Sequence, residues 1–231
     1  MKRFWKTAEA TAGPDGWQVQ LDGRPVRTPA RALLLLPNPR LAEAVAAEWK
    51  ASPETVDPRA MPLTGLSNAA LDRVAPAHEE FAANLARYAA SDLLCYRADS
   101  PAALVERQAE RWDPLLQWAR RRFDVDFAVT SGVSPVDQPA ATLARFQQAF
   151  AALAPFELAA LSPVITVGGS AVAGLALFEQ AVDVDTAWAA ISLDEAWQLE
   201  QWGSDAEAEK ALDAREADFR AGNRLLELLR D

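Results

Sequence analysis

The chain has 231 residues, is 50% hydrophobic and 24% charged, and carries 23 Lys+Arg against 33 Asp+Glu, a formal net charge of −10. A polypeptide of this length buries roughly 70% of the surface its unfolded form exposes, so it needs no disulfide or metal to stay folded. The acidic balance, with no basic stripe or tail, excludes nucleic acid as a partner, because neutralising phosphates takes clustered cations.

Residues 1–37 read as strands, the predicted small antiparallel β domain, with a boundary between 37 and 60. Phe4-Trp5 opens an extended segment, Gly13-Pro14-Asp15-Gly16 is turn chemistry, and Trp17, Val19 and Leu21 alternate with Gln18 and Gln20. Asp22-Gly23 suits a tight hairpin turn at positive φ. Arg24 to Thr28 then returns with Val26 inward, and a short strand at 33–36 closes at Pro37.

From Pro39 the period turns helical: Leu41, Val45 and Trp49 recur every four residues. Further helices are predicted within 63–90, broken near Pro76, then around Trp112 and around Phe146. A single buried helix follows at about 164–178, then an amphipathic one at 184–202 and a charged one at 205–229. Strands first and helices afterwards predict an α+β fold with a larger all-α multihelical domain over 38–231. The uncharged stretch from Glu157 to Glu179 is long enough to test as a membrane span, but Pro163, Gly168, Gly169 and Gly174 interrupt it and its flanks are acidic. No membrane association is expected.

Chemistry is scarce. No Gly-Lys dipeptide and no G-x-G-x-x-G occur, so phosphate-loop and dinucleotide fingerprints are absent. The lone Cys95 sits in an apolar run, where thiols are inert, and the lone His78 stands at a helix start with no nucleophile to serve. Ser170 lacks the second glycine of a nucleophile elbow. Arg120-Arg121-Arg122 reads as helix-dipole compensation. No catalytic residue, metal ligand or cofactor site is predicted.

The acidic segment from Asp194 to Asp218 carries the most information. Trp202-Gly203-Ser204 reads as a corner between two helices, with Gly203 closing one and Ser204 with Glu207 forming a capping box for the next. Trp197 and Trp202 stand among acids, as partner-binding anchors do, although core packing explains them equally well. The competing reading is a carboxylate-based metal-dependent or acid–base enzyme using Asp194 with Glu195, or Asp205 with Glu207. Carboxylates one or two positions apart on a helix do not point together, which weakens it.

Several stretches occur in an order that resembles the assembly chaperones for the α subunit of F(1)-ATPase, a mitochondrial and alphaproteobacterial family. They are Lys2-Arg3-Phe4-Trp5-Lys6, Leu21-Asp22-Gly23-Arg24-Pro25-Val26-Arg27-Thr28-Pro29, Met61-Pro62-Leu63-Thr64, Ser91-Asp92-Leu93-Leu94-Cys95-Tyr96-Arg97, Arg111-Trp112-Asp113-Pro114-Leu115, and Asp194-Glu195 leading through Gln198 to Trp202-Gly203. The resemblance implies a non-enzymatic chaperone without cofactor that binds the unassembled α subunit and shields its assembly surface until the β subunit replaces it. It also implies the β-then-α architecture, and it carries over Glu195, Gln198, Trp202, Gly203 and Asp205 as partner-binding positions. The absence of a presequence ahead of Lys2 favours a bacterial cytoplasm over a mitochondrial matrix, and no heptad seam argues against a monomer.

Overall fold

In the computed structural model, residues 2–132, 134–203 and 206–230 are described. The chain packs as two compact units: Met1–His78 with Ala154–Ala160 and Arg224–Asp231, and Glu79–Leu153 with Leu161–Asn223.

The first unit is built on strand β2 (Gly16–Leu21), which pairs antiparallel with β1 (Ala8–Gly13) and also with the two-residue strands β3 (Arg24–Pro25) and β4 (Leu35–Leu36). The register Gly13↔Gly16 leaves Pro14-Asp15 as the first turn. Asp22 and Gly23, both at positive φ (48° and 77°), make the second, as the Asp-Gly pair predicts. Asp22 also accepts the amides of Lys6 (3.0 Å) and Thr7 (2.8 Å), and these backbone bonds hold its carboxyl below the usual range. Period-two alternation survives in three dimensions, since Val19 and Leu21 are buried.

Helix α1 (Pro39–Ala51) lies on this sheet through Leu41, Ala42, Val45 and Ala46. Asn38 caps it by accepting the Leu41 amide, while its own amide donates to the Leu228 carbonyl. Trp5 donates its indole N–H to the Trp49 carbonyl. Helix α2 (Pro62–Ala69) has no cap from its own preceding residue; the Glu48 carboxylate of α1 accepts from Leu63 N, Thr64 N and Thr64 Oγ1 at 2.7–2.8 Å. Beyond it the backbone widens into a π turn (Ala70–Val74) and tightens into a 3₁₀ turn (Ala75–Ala77). Pro76, lacking an amide proton, causes this disturbance before α3 (His78–Ala86).

The second unit is helical, apart from the short parallel pair β5 (Tyr96–Arg97) and β6 (Thr130–Ser131), which hydropathy did not disclose. Its long helix α4 (Ala102–Phe123) buries Trp112, Leu115, Leu116 and Ala119, and α5 (Ala140–Ala151) buries Phe146 and Phe150. Arg120, Arg121 and Arg122 occupy the last turn of α4, as expected of cations at that end.

The expected single helix over 164–178 is two: α6 (Pro155–Gly168), which begins in the first unit, and α7 (Ala171–Phe178). Gly169 at φ +63° ends α6, a conformation open mainly to glycine, and Ser170 starts α7 by accepting the Ala173 amide. Every residue from Ala171 to Leu177 is buried. A Cβ on Gly174 would stand 2.5 Å from Ile165 Cγ1, so the two helices meet only because that position has no side chain. The amphipathic segment 184–202 likewise divides at Ser192 into α8 (Val184–Ile191) and α9 (Leu193–Trp202), the Ser192 hydroxyl donating to the Trp188 carbonyl. Helix α10 (Ala206–Leu229) follows and ends in the first unit. Among the described residues, no helix is long and apolar enough to cross a membrane.

Asp92 is fully buried at the N-terminus of α7, accepting from Val172 N (2.9 Å) and Leu94 N (3.1 Å). Burial outweighs these bonds and pushes its carboxyl up to about 6.

Two stability predictions follow from these caps. Glu48→Ala should cost about 2 kcal/mol in urea unfolding, because the first amides of α2 lose a charged acceptor. As pH rises from about 4 to 6, unfolded Asp92 gives up its proton before folded Asp92 does, so the folded state should lose up to about 3 kcal/mol across that window. Denaturant titrations of Asp92→Asn at pH 4 and pH 6 should show that component removed.

Candidate partner-binding site

Helix α9 carries most of the positions singled out in the sequence, and it is held by partners remote in the chain. On one side, Asp194 accepts from Gln108 Nε2 of α4 at 2.8 Å, and Gln108 Oε1 in turn accepts the Ala98 amide. Asp194 is half-buried, and this burial, with adjacent Glu195 adding to it, raises its carboxyl pKa. One turn further, Arg107 of α4 lies over the Trp197 ring at 4.8 Å and donates to both carboxylate oxygens of Glu200 (2.7 and 2.9 Å).

On the other side, Glu195 receives Arg215 Nη1 of α10 at 2.7 Å, while Arg215 Nη2 donates to the Val167 carbonyl near the end of α6. A single guanidinium thus ties α9, α10 and α6. Asp194 and Glu195, adjacent in sequence, face different helices, so they do not form a paired acid–base site. Among the described residues, no group of three or more His, Cys, Asp or Glu is placed to hold a metal ion.

Two depressions flank α9. A cleft of about 480 Å³ lies against Tyr96, Pro101, Leu104, Trp197 and Trp202, with Asp194 and Gln108 in its lining. A smaller, mostly aliphatic groove of about 240 Å³ lies against Leu199, Ala208, Ala211 and Leu212. Gln198 is exposed and borders both. Trp202 ends the helix with 79% of its surface in solvent, which removes core packing as its role. Gly203 follows at φ +79° and ψ 166°, an extended positive-φ conformation open mainly to glycine, at the position where the sequence expects the helix to close. Asp205, and Ser204 of the anticipated capping box, lie outside the described residues.

The remaining reactive side chains serve packing. Cys95 is buried, and desolvation pushes its thiol up to about 12, far from a reactive thiolate. Ser170 is buried as the α7 cap, and His78 begins α3. Arg120 bonds the Phe127 carbonyl and Arg122 pairs with Glu179. The Arg107–Trp197–Glu200 and Gln108–Asp194 contacts were not anticipated; their partners lie 86 to 93 residues apart, and no local spacing signals such pairs.

Comparison with known proteins agrees with this architecture. Residues 2–120 match the model of a family described as ATP12 chaperone protein. The mitochondrial protein atp12 of Schizosaccharomyces pombe is 26% identical over 215 residues, 88% of this chain and 74% of its own. The crystal structure of Atp12 from Paracoccus denitrificans superposes with a TM-score of 0.93 at 44% identity, covering 99% of this chain and 98% of that one. A point mutant of the same Paracoccus protein gives a TM-score of 0.93 at 43% identity, with the same coverage. The chain belongs to the ATP12 chaperone family.

Proposed function

We propose that this protein binds the unassembled α subunit of F(1)-ATPase through the α9–α10 corner and covers its assembly surface until the β subunit takes its place. The observation that carries this reading is Trp202: a large aromatic, 79% exposed, at the end of a helix whose own orientation is fixed by Arg107, Gln108 and Arg215. An exposed aromatic anchor on a rigid support loses little entropy on binding, and binding energy concentrates on such residues.

Gln198 and Gly203 complete the contact surface, and Asp205 is assigned to the contact from the sequence alone. Glu195 acts from behind, keeping α9 against α10 through Arg215. An unassembled subunit exposes apolar surface that the finished hexamer covers, and such surface drives aggregation. The net charge of −10 steers a basic partner face and discourages wrong partners. Holding a client this way uses no catalysis and no cofactor, and a single copy working in a bacterial cytoplasm is sufficient for it.

The test is light scattering of isolated F(1) α subunit on warming, with stoichiometric protein present and β subunit added to release it. Suppressed aggregation that yields to β supports the reading; no suppression by demonstrably folded protein refutes it. In the same assay Trp202→Ala should lose most of the protection with its Tm unchanged, because the ring supports nothing in the folded chain. Glu195→Lys should unfold within about 1 kcal/mol of the parent, the Glu195–Arg215 pair being more than one-third exposed, yet protect poorly because α9 is repelled from Arg215.

A further inference from the structure

The proposed function uses Trp202 at the rim of the cleft beside α9, but the lining of that cleft also holds a charge that the folded chain leaves unmatched. Gln108 Nε2 bonds one oxygen of Asp194, Oδ1, at 2.8 Å. Among the described residues nothing donates to the other, Oδ2, and since it is not one of the buried unpartnered atoms it is open to solvent. Half-burial raises the Asp194 carboxyl pKa, so its ionised form is short of stabilising partners. The other charge in the lining, Arg97, is committed: it donates to Asp113 at 2.7 Å and to the Leu94 carbonyl at 2.8 Å.

Aromatic surface adjoins this carboxylate. Asp194, Gln198 and Trp202 recur every four residues and so form one row along α9, about 12 Å long, and Tyr96 and Trp197 also line the cleft. The protein itself shows what fits such a setting. Arg97 lies over the Trp112 ring at 5.1 Å with its guanidinium on Asp113, and Arg107 lies over Trp197 at 4.8 Å with its guanidinium on Glu200. In both, an indole face and a carboxylate share one guanidinium, a planar and weakly hydrated cation that stacks where a lysine ammonium does not. Trp202 and Asp194 present the same two components, and among the described residues no cation of the chain pairs with either.

We infer that this cleft takes an arginine side chain of the bound client, its stem lying along Gln198 and Trp202 and its guanidinium donating to Asp194 Oδ2. Asp194 is then a specificity-determining residue, selecting a basic side chain where an apolar one would leave the carboxylate half-buried and unpaired. Whose arginine it is rests on the proposed function; the chemistry of the cleft does not.

The probe is N-acetyl-arginine N′-methylamide, titrated into ¹⁵N-labelled full-length protein while the indole N–H resonances of the eight tryptophans are followed. An ionic strength of about 0.15 M suppresses diffuse attraction to the acidic surface. Trp202→Phe identifies the Trp202 signal, which should move and saturate with a Kd on the order of 1 mM, in keeping with a single side chain. N-acetyl-citrulline N′-methylamide keeps the shape but carries a neutral urea, and it should bind at least roughly tenfold more weakly. Asp194→Asn retains the oxygen that Gln108 bonds, so α9 stays in place; it should weaken the arginine probe by a similar factor and remove the difference between the two probes. The inference is overturned if the Trp202 signal does not move up to the solubility limit, if the citrulline probe binds as tightly as the arginine probe, or if Asp194→Asn titrates like the parent. Because the titration contains no client, its failure leaves the light-scattering result standing, and a positive titration beside absent protection refutes the proposed client and not the cleft.

Discussion

An α-helix that is apolar on every face must satisfy its terminal amides inside the protein, because water cannot reach them, and the second unit is arranged around one such helix. The buried N-terminus of α7 is satisfied by Ser170 and by the carboxyl of Asp92, brought from the segment before β5. The Gly169 carbonyl accepts the Leu93 amide, so the turn that frees α7 from α6 is also the point at which residues 92–95 attach. Helices α4 and α8 pack on α7, and Trp112 of α4 reaches across to the Ala190 carbonyl of α8 at 2.7 Å. Helix α9 leaves α8 at Ser192, so its direction descends from that one buried end.

The acidic corner is less acidic in effect than in composition. Glu195 and Glu200 are each occupied by an arginine, and Asp194 is half-buried and hydrogen-bonded to Gln108. The charges nearest the helix orient it, while the proposed contact rests on Gln198 and Trp202, which are exposed. A chaperone that must release its client gains from this division. In the proposed contact the anchor is a single ring on a helix held by three ion-paired or hydrogen-bonded partners, and screened surface charge contributes mainly to the rate of encounter.

The stretches that resemble the family are mostly architectural. Arg3 donates to the Ser52 carbonyl and Trp5 to the Trp49 carbonyl; Asp22-Gly23 forms a hairpin turn; the Leu63 and Thr64 amides and the Thr64 hydroxyl donate to Glu48; Asp92 caps α7. Residues with obligatory turn geometry or buried hydrogen bonds tolerate little replacement, so a family likeness gathers on them. The same likeness therefore indicates the fold more directly than it indicates the face that meets a client.

Local rules sufficed for much of the fold. Alternation placed Val19 and Leu21 inside, positive-φ chemistry placed the turn at Asp22-Gly23, and four-residue spacing with Asn38-Pro39 placed α1, because each depends on neighbours within a few positions. The same local chemistry located the helix end at Gly203. Where two helices share one pattern, the pattern runs through the break: the uncharged run continues across Gly169-Ser170 from α6 into α7, and the amphipathic period continues across Ser192 from α8 into α9. The exposure of Trp202, the divergence of Asp194 from Glu195 and the Glu48 cap on α2 are properties of packing between distant segments. The sequence by itself determined the elements and the α+β class; only tertiary structure decided which faces of those elements remain in water, since burial is a relation between residues that the chain separates.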